Sequence, residues 1–187
     1  MTFDHFGILA PFYDRLIKLG EADAFVRRLA LPVAGFVLDA GGGTGRVAFA
    51  LTGNAGQVVV ADVSLGMLSQ AREKELPAIC GAAEKLPFPS GTFERVLMVD
   101  ALHHVHNQAD TLRELWRVLA PGGRILIVEP DIRSLAVKGI ALFEKVMLMR
   151  SHFLSPQEIA GLFREFGADA HIEAEKGTAW VAAEKAR

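Results

Sequence analysis

Glycines and an acid crowd into one short segment, residues 39–45, whose sequence is DAGGGTG. The segment ends an apolar run that begins at Phe36 and is typical of a buried strand. Glycine lets a backbone turn sharply and come close to a ligand, because no Cβ stands in the way. Open α/β sheets bind ligands where their strands reach the carboxyl end. The segment therefore predicts a ligand site, although glycine loops of this kind serve NAD, FAD and nucleotides alike.

A second acid, Asp62, ends the apolar run that begins at Val58. It follows Gly43 by about 20 residues, a spacing at which an acid can accept hydrogen bonds from both hydroxyls of a ribose. The loop and this acid together predict an adenosine-containing ligand. Two narrower motifs are missing, since Arg46 occupies the last position of G-x-G-x-x-G/A and no G-K-[ST] follows. The alternative role for Asp62 is to cap the next helix.

The elements that would position these residues alternate between short apolar β-rich runs and helical patterns. The predicted strands are Phe36–Ala40, Gln57–Ala61, Ala78–Gly81, Arg95–Val99, Arg124–Glu129, Ala170–Ala174 and Thr178–Ala183. This alternation is typical of a parallel sheet covered on both faces. The predicted fold class is α/β, with a Rossmann-like, seven-stranded, mostly parallel sheet, helices on both faces and a C-terminal antiparallel hairpin.

Several predicted helices have recognisable ends. Ser64 is placed to cap one helix, and Asn107 is placed to cap another. We expect the second of these to run to Leu119, where the Pro-Gly-Gly segment 121–123 would end it and turn the chain into the next strand. Ser155 starts a capping box, with Glu158 at the third helical position.

At 187 residues the chain fits one domain, and a globule of this length buries roughly 70% of the surface that its unfolded form exposes. We predict a single domain over residues 1–187. Within it, residues 1–34 would form an N-terminal helical cap and residues 131–154 a helical cap insertion.

Composition narrows the class of partner and the compartment. The formal net charge is −2 and the basic residues are scattered, so nucleic acid is not an expected partner. Cys80 is the only cysteine, which favours a reducing cytoplasm, and we expect it to be a small buried residue in a strand. The first residues lack the pattern of a secretory signal, and no run is long enough to span a membrane.

Five segments, in order along the chain, match motifs of one family. The loop 39–45 satisfies D/E-x-G-x-G-x-G, residues 62–68 are similar to D-x-S-x-x-M-L, and residues 81–88 are similar to G-D-A-E-x-L-P-F. Residues 117–123 look like R-x-L-K-P-G-G, and residues 12–14 resemble an N-terminal Y-D motif. From about Phe6 to Glu129, the chain resembles the class I S-adenosylmethionine-dependent methyltransferases, in the branch of the ubiquinone and menaquinone C-methyltransferases.

The resemblance implies S-adenosylmethionine as the cofactor and a role for each matching residue. Gly41 and Gly43 would bring the backbone to the methionine part, Asp39 would orient its amino group, and Asp62 would hold the ribose. The other residues implied to bind the cofactor are Tyr13, which would close over it, Val63 and Met67, which would sandwich the adenine, Ala82, Ala83, and Asp100 through its carbonyl.

One position departs from the family pattern. Ala82 stands where the family usually has an acid that accepts a hydrogen bond from the adenine amino group. The backbone N–H of Ala83 and the nearby Glu84 are candidate substitutes. We expect weaker cofactor binding, by on the order of 1 to 2 kcal/mol, because one hydrogen bond to a charged group is missing.

Three histidines, at positions 103, 104 and 106, follow the fourth predicted strand. A histidine with a pKa near neutral could take a proton from a carbon acid, a phenol or a protonated amine, so His103 and His104 are the catalytic candidates. The interpretation we favour is that they cap the pocket and hydrogen-bond its backbone. No metal is predicted, because no second cluster of ligands accompanies them.

The expected partner is a small-molecule methyl acceptor. The segment 131–154 has a wide apolar face, which suggests an apolar acceptor such as a quinone-like ring or a lipid. The same face could equally be core or a dimer contact, so membrane-surface contact and oligomeric state stay open. The alternatives are a non-catalytic cofactor-binding or partner-binding protein of the same fold and a nicotinamide-dependent oxidoreductase, which Arg46 and the motif order disfavour.

Overall fold

The computed structural model describes residues 22–131 and 152–187, and the elements below are numbered over these ranges. The helices are α1 (Ala22–Arg28), α2 (Arg46–Leu51), α3 (Leu65–Glu73), α4 (Gln108–Val118) and α5 (Pro156–Arg164), with a 3₁₀ helix at Leu102–His104. The strands are β1 (Phe36–Ala40), β2 (Gln57–Asp62), β3 (Ala78–Cys80), β4 (Phe93–Val99), β5 (Leu119–Pro130), β6 (Ala170–Glu175) and β7 (Thr178–Glu184).

All seven strands join one sheet in the order β3-β2-β1-β4-β5-β7-β6. The strands β1 to β5 run parallel to one another, while β7 is antiparallel to both β5 and β6. The predicted mostly parallel sheet with a C-terminal hairpin is confirmed. The strand order reverses direction between β1 and β4, and such a switch point leaves a crevice at the carboxyl ends of the strands.

Both faces of the sheet are buried, because successive side chains of a strand point to opposite sides. In β1, Leu38 belongs to a core that includes Leu115 of α4 and Phe163 of α5. Val37 belongs to a second core, which includes Phe25 of α1 and Leu51 of α2. The near-continuous apolar sequence of the central strands is the consequence of this two-sided burial.

The predicted helix caps are present. Ser64 Oγ accepts a hydrogen bond from Met67 N, and Asn107 Oδ1 accepts one from Asp110 N. At α5, Ser155 and Glu158 form the reciprocal capping box. These local signals fixed three helix starts correctly, because each depends only on residues within one turn.

The helix α4 ends at Val118 with Leu119 as its cap, within one residue of the prediction, but the predicted turn at residues 121–123 was wrong. These residues do not lead into a strand that begins at Arg124, because β5 starts at Leu119, directly after α4. Leu119 pairs with Phe93 and Arg124 with Arg95, so the Pro-Gly-Gly segment bulges out of the ladder. Gly122 adopts φ 75°, a conformation that suits glycine, and its N–H donates to the carbonyl of Lys185.

The prediction for Cys80 was also wrong, because its side chain is exposed. The strand β3 is an edge strand of only three residues, and among the described residues no further strand pairs with its outer side. Burial of a strand residue depends on its place in the sheet, which the local sequence does not give.

Two predictions concern residues that are mostly outside the described ranges. Of the N-terminal cap, only α1 and the residues that follow it are described, and of the cap insertion only Asp131 and residues 152–154. The single-domain assignment therefore stays a prediction. No helix among residues 22–131 and 152–187 is both long enough and apolar enough to cross a membrane.

Candidate functional site

A cavity of about 590 Å³ opens at the carboxyl ends of the parallel strands. This volume is within the usual range for a small-molecule site. Every predicted cofactor-binding residue in the described ranges lines it: Asp39, Gly41, Gly43, Asp62, Val63, Met67, Ala82, Ala83 and Asp100. His104 lines it too. Tyr13 lies outside the described residues, so its predicted role stays untested.

The glycine loop between β1 and α2 is held in a shape that side chains would block. Gly41 and Gly43 have φ values of 68° and 55°, a region that residues with a Cβ rarely adopt. A Cβ on Gly41 would come within 2.7 Å of the Ala101 Cβ, and one on Gly42 within 2.5 Å of the Asp39 carboxyl carbon. Bare backbone therefore faces the cavity along this loop.

Asp62, at the end of β2, ties the loop to the next helix. Its Oδ2 accepts a hydrogen bond of 2.9 Å from Gly43 N, and its Oδ1 accepts one of 2.8 Å from Ser64 N. The cap of α3 is Ser64 and not Asp62, so the alternative capping role is not what the structure shows. A carboxylate offers about four acceptor positions, which leaves room for hydroxyl donors from a ligand.

Asp39, at the end of β1, is almost completely buried, with 1% of its surface exposed. Its Oδ2 accepts a 3.2 Å hydrogen bond from Ala48 N, whereas its Oδ1 is buried without any hydrogen-bond partner. Burial raises the pKa of this carboxyl to about 7, although the Ala48 N–H and Arg46 act in the opposite direction. A buried acceptor that lacks a donor is costly unless a ligand supplies one.

Apolar and backbone surfaces line the cavity beyond Asp62. Val63 is 69% exposed, and Met67 places its sulfur near the position that a Cβ on Gly43 would take. Ala82 is exposed and Ala83 is buried after β3. Glu84 also lines the cavity, but its Oε1 already accepts from His106 N (2.9 Å) and Asn107 N (3.4 Å).

The histidines fall into different environments. His103 is buried and does not line the cavity, whereas His104 does. Burial, with a smaller contribution from the neighbouring His103, lowers the pKa of His104 to about 4. Its ring is therefore neutral at neutral pH and is a weak base, and both its catalytic and its capping roles stay predictions. Among the described residues no group of three or more His, Cys, Asp or Glu side chains could hold a metal ion.

Asp100 adopts an unusual backbone conformation for a residue with a side chain, with φ 50°. It follows β4 directly, and its N–H donates to the carbonyl of Val128 in β5. Strained residues persist where the surrounding structure holds them, and they cluster at functional sites.

Two clamps around the cavity were missed by sequence reasoning. In the first, Glu114 Oε1 accepts from Leu86 N (2.7 Å), while Arg117 Nη2 donates to the carbonyls of Leu86 (3.3 Å) and Phe88 (2.9 Å). Arg117 belongs to the R-x-L-x-P-G-G segment, and residues 86–88 belong to the L-P-F segment. These hydrogen bonds connect the two motifs, because Glu114 and Arg117 hold the backbone of residues 86–88.

The second clamp is built on Glu129, at the carboxyl end of β5. Its Oε1 accepts from Ala101 N (3.0 Å) and Leu102 N (2.8 Å), and its Oε2 lies 2.5 Å from His103 Nδ1. The only sequence signal was an acid at the end of the apolar run 125–128. These hydrogen bonds fix the backbone between β4 and α4, which lines the cavity.

The fold, the glycine loop and the acid at the end of β2 are those expected of a class I methyltransferase, and the comparisons find the same similarity. A family model described as a methyltransferase domain matches residues 38–127. The chain is similar to class I S-adenosylmethionine-dependent methyltransferases, and among them to the ubiquinone and menaquinone branch.

Two named relatives illustrate that branch. The chain is 37% identical over 142 residues to the ubiquinone/menaquinone biosynthesis C-methyltransferase UbiE of Pseudomonas savastanoi pv. phaseolicola, covering 66% of this chain and 56% of the relative. It is 36% identical over 121 residues to the demethylmenaquinone methyltransferase of Mycolicibacterium vanbaalenii, covering 62% and 53%. The chain thus spans about half the length of the curated relatives it matches.

Solved structures share the fold at lower identity. A Thermotoga maritima S-adenosylmethionine-dependent methyltransferase superimposes with a TM-score of 0.80 at 24% identity, covering 96% of this chain and 98% of that one. Geranyl diphosphate C-methyltransferase of Streptomyces coelicolor, in complex with S-adenosyl-L-homocysteine, gives 0.72 at 16%, covering 88% and 76%.

Proposed function

We propose that this chain transfers the methyl group of S-adenosylmethionine to a small, apolar, quinone-like molecule. The observation that carries the cofactor part is the buried Oδ1 of Asp39, which lacks a partner in a residue that lines the cavity. An ammonium group would satisfy this oxygen, and the amino-acid tail of the cofactor has one.

The other residues of the cavity fit the same molecule. The bare backbone of Gly41 and Gly43 leaves space beside Asp39, and Asp62 presents carboxylate oxygens for the two ribose hydroxyls. Val63 and Met67 supply apolar surface for a flat base. The backbone carbonyl of Asp100 is our candidate for a further contact with the amino group.

When bound, the cofactor supplies a methyl group on a positively charged sulfur, which an electron-rich atom can take while the sulfur keeps the bonding electron pair. The protein then has to align the acceptor and exclude water. His104 is suited to this, because its neutral ring at the cavity wall can hydrogen-bond an acceptor hydroxyl without adding charge.

The acceptor part of the proposal rests on the relatives, whose names specify ubiquinone, menaquinone and demethylmenaquinone. A quinone ring becomes electron-rich only in its reduced, dihydroxy form. Carbon methylation also releases the ring proton, which a nearby base or water has to take. The reduced form of the quinone is therefore the acceptor to test.

The test has two arms. Isothermal titration with S-adenosylmethionine and with NAD measures which cofactor binds. Turnover is then measured as S-adenosylhomocysteine production with demethylmenaquinol, the same molecule kept oxidised, and a panel of phenols and amines. We expect S-adenosylmethionine to bind, and product to form with the reduced quinone alone.

The outcomes separate the alternatives. Binding of NAD in preference to S-adenosylmethionine would refute the cofactor assignment. Tight cofactor binding with no turnover on any acceptor would favour the non-catalytic cofactor-binding protein. Turnover on an amine or phenol but not on demethylmenaquinol would keep the methyltransferase and reject the quinone.

A further inference from the structure

The buried side chains of Glu129 and His103 form a hydrogen-bonded pair that makes more contacts than are needed to hold one turn. Both side chains are about 5% exposed, and the Glu129 carboxylate contacts three consecutive residues, Ala101, Leu102 and His103. A carboxylate can only accept hydrogen bonds, so the proton of the third contact is donated by His103 Nδ1.

The opposite side of His103 contacts a different part of the chain. Its ring stacks on Phe153, with centroids 4.4 Å apart and planes 14° from parallel. The carbonyl of His103 accepts a 2.8 Å hydrogen bond from His152 N. Gln108 reinforces the junction, because its Nε2 donates to the carbonyls of Leu102 (3.1 Å) and His152 (2.5 Å).

The position of this junction in the chain is informative. The chain leaves the sheet two residues after Glu129, where Asp131 N donates to the carbonyl of Gly177. The next described residue is His152, whose N–H bonds to the carbonyl of His103. The carboxylate–imidazole pair therefore lies, through Glu129, two residues before Asp131 in sequence and, through His103, in direct contact with residues 152 and 153. It also lies directly beside His104, whose ring centroid is 4.0 Å from that of His103.

We propose that Glu129 and His103 are a positioning pair that couples the wall of the cavity at residues 101–104 to residues 152–154. Glu129 holds the wall, and His103, held by Glu129, holds Phe153. Neither side chain lines the cavity, so the pair acts through residues 101–104 and does not touch the reacting atoms. This inference rests on the proposed methyl transfer for its functional consequence, but the coupling itself is independent of it.

Two substitutions of His103 separate its two connections. His103→Asn keeps an amide N–H where Nδ1 stands but removes the ring that stacks on Phe153. His103→Phe keeps a ring for the stack but removes the donor to Glu129. Phe153→Leu removes the stack from the other side, and His171→Asn, at a histidine 76% exposed on β6, is the matched control.

Amide hydrogen exchange in the intact protein, with and without S-adenosylhomocysteine, reads the coupling directly. We expect His103→Asn and Phe153→Leu to speed exchange at residues 152–154 about three- to tenfold while leaving residues 101–104 protected, as loss of one aromatic pair implies. His103→Phe should do the reverse. A general loss of stability would not produce this reciprocal pattern.

Ligand measurements complete the test. Calorimetry should give S-adenosylhomocysteine affinities within about twofold of wild type for His103→Asn and Phe153→Leu. With demethylmenaquinol, both variants should raise the acceptor KM by roughly three- to tenfold and change kcat less.

The proposal is overturned if residues 152–154 exchange as in wild type in both variants, or if exchange quickens equally at all sites. It is also overturned if the affinity for S-adenosylhomocysteine falls by as much as the acceptor KM rises. A wild-type protein that never methylates demethylmenaquinol would instead refute the proposed acceptor, while the exchange pattern would still decide the coupling.

Discussion

Two buried acids lie near the carboxyl ends of β1 and β5, the strands on either side of β4, and their carboxylates make different contacts. Asp39 ends β1 and Glu129 lies near the end of β5, and both are at most 4% exposed. The oxygens of Glu129 accept from two backbone N–H groups and contact a histidine, whereas Asp39 has one oxygen without a partner. We infer that a buried acid whose oxygens all have hydrogen-bond partners stabilises the fold, whereas one with an oxygen that lacks a partner is available to a ligand.

The largest expected effect is a loss of stability when the Glu129 side chain is removed. Glu129→Ala leaves Ala101 N, Leu102 N and His103 Nδ1 without their acceptor, and at least Leu102 and His103 are buried. Each such loss costs about 1 to 3 kcal/mol, so we expect the free energy of unfolding to fall by about 3 kcal/mol or more. Urea unfolding monitored by circular dichroism measures the change.

The matched control is Glu184→Ala, which removes an acid 66% exposed that pairs with Arg124 on the surface. Surface pairs of this kind are worth about 0 to 1 kcal/mol. Equal destabilisation by the two variants would break the comparison, because Glu129 would then be an ordinary salt-bridge residue.

The second prediction concerns Asp39, where loss of charge should weaken ligand binding and improve the fold. Asp39→Asn keeps an acceptor for Ala48 N but presents no charge to the cofactor ammonium. We expect the affinity for S-adenosylmethionine to fall by roughly 2 to 3 kcal/mol, about 30- to 150-fold, as measured by calorimetry at pH 8.

The same substitution should stabilise the unliganded fold relative to wild type, and this gain should increase as pH rises. Burial raises the pKa of Asp39 from its ordinary value of 3.8 to about 7, so between these values the folded protein holds a proton that the unfolded chain has lost. Stability contributed by this group therefore falls as pH rises through that window. Asn does not titrate, so the unliganded variant should gain on wild type by roughly 2 to 3 kcal/mol between pH 5 and pH 8.

His104 titrates in both proteins and cancels in this difference. Its pKa is lowered to about 4, so its own contribution to stability is lost as pH falls from its ordinary value of 6.5, equally in wild type and variant. A constant gap between the two unfolding free energies from pH 5 to pH 8 would contradict the raised pKa of Asp39.

The sequence predicted a ligand-binding role for Asp39 but did not predict the hydrogen bonds of Glu129. Asp39, the glycine loop and Asp62 are close in sequence or at a known spacing, so their geometry follows from one strand–turn–helix unit and the next strand. Glu129 meets its partners across 26 to 28 residues, because β4 and β5 are neighbours in the sheet. Only the tertiary fold brings them together.

The errors at Cys80 and at residues 121–123 have the same cause. Whether β3 is an edge strand, and whether Pro121–Gly123 forms a turn or a bulge, is decided by the neighbouring strands and their register. Local signals such as the caps at Ser64, Asn107 and Ser155 were reliable, because all their partners lie within the same turn. The unusual pKa of Asp39 depends on burial, which one sequence motif cannot give.

A third prediction sharpens the role of Asp39 through the pH dependence of binding. Since only the ionised carboxylate attracts the ammonium group, the Kd for S-adenosylmethionine should rise up to about tenfold for each pH unit below 7, and reach roughly 30-fold near pH 5.5. Calorimetry from pH 5.5 to 8.5 measures this slope. The Asp39→Asn variant is the control and should show a much flatter profile over the same range.

The smallest expected effect comes from placing a carboxylate at position 82, which tests whether an acid there improves cofactor binding. Ala82 is exposed, lines the cavity just after β3, and stands where the motif G-D-A-E-x-L-P-F, which residues 81–88 resemble, has an acid. The nearby Glu84 cannot fully replace it, because one of its oxygens already holds the backbone of His106 and Asn107. Ala82→Asp should therefore strengthen cofactor binding by about 1 to 2 kcal/mol, measured as a 5- to 30-fold lower Kd.

The control for this variant is Ala82→Asn, which has nearly the same shape but no charge and should gain less. Unchanged or weaker binding in Ala82→Asp would mean that position 82 does not face the adenine amino group. Unsatisfied oxygens on an acid at a strand end would then not be sufficient for ligand binding. The loop around the acid would also have to direct those oxygens into the cavity.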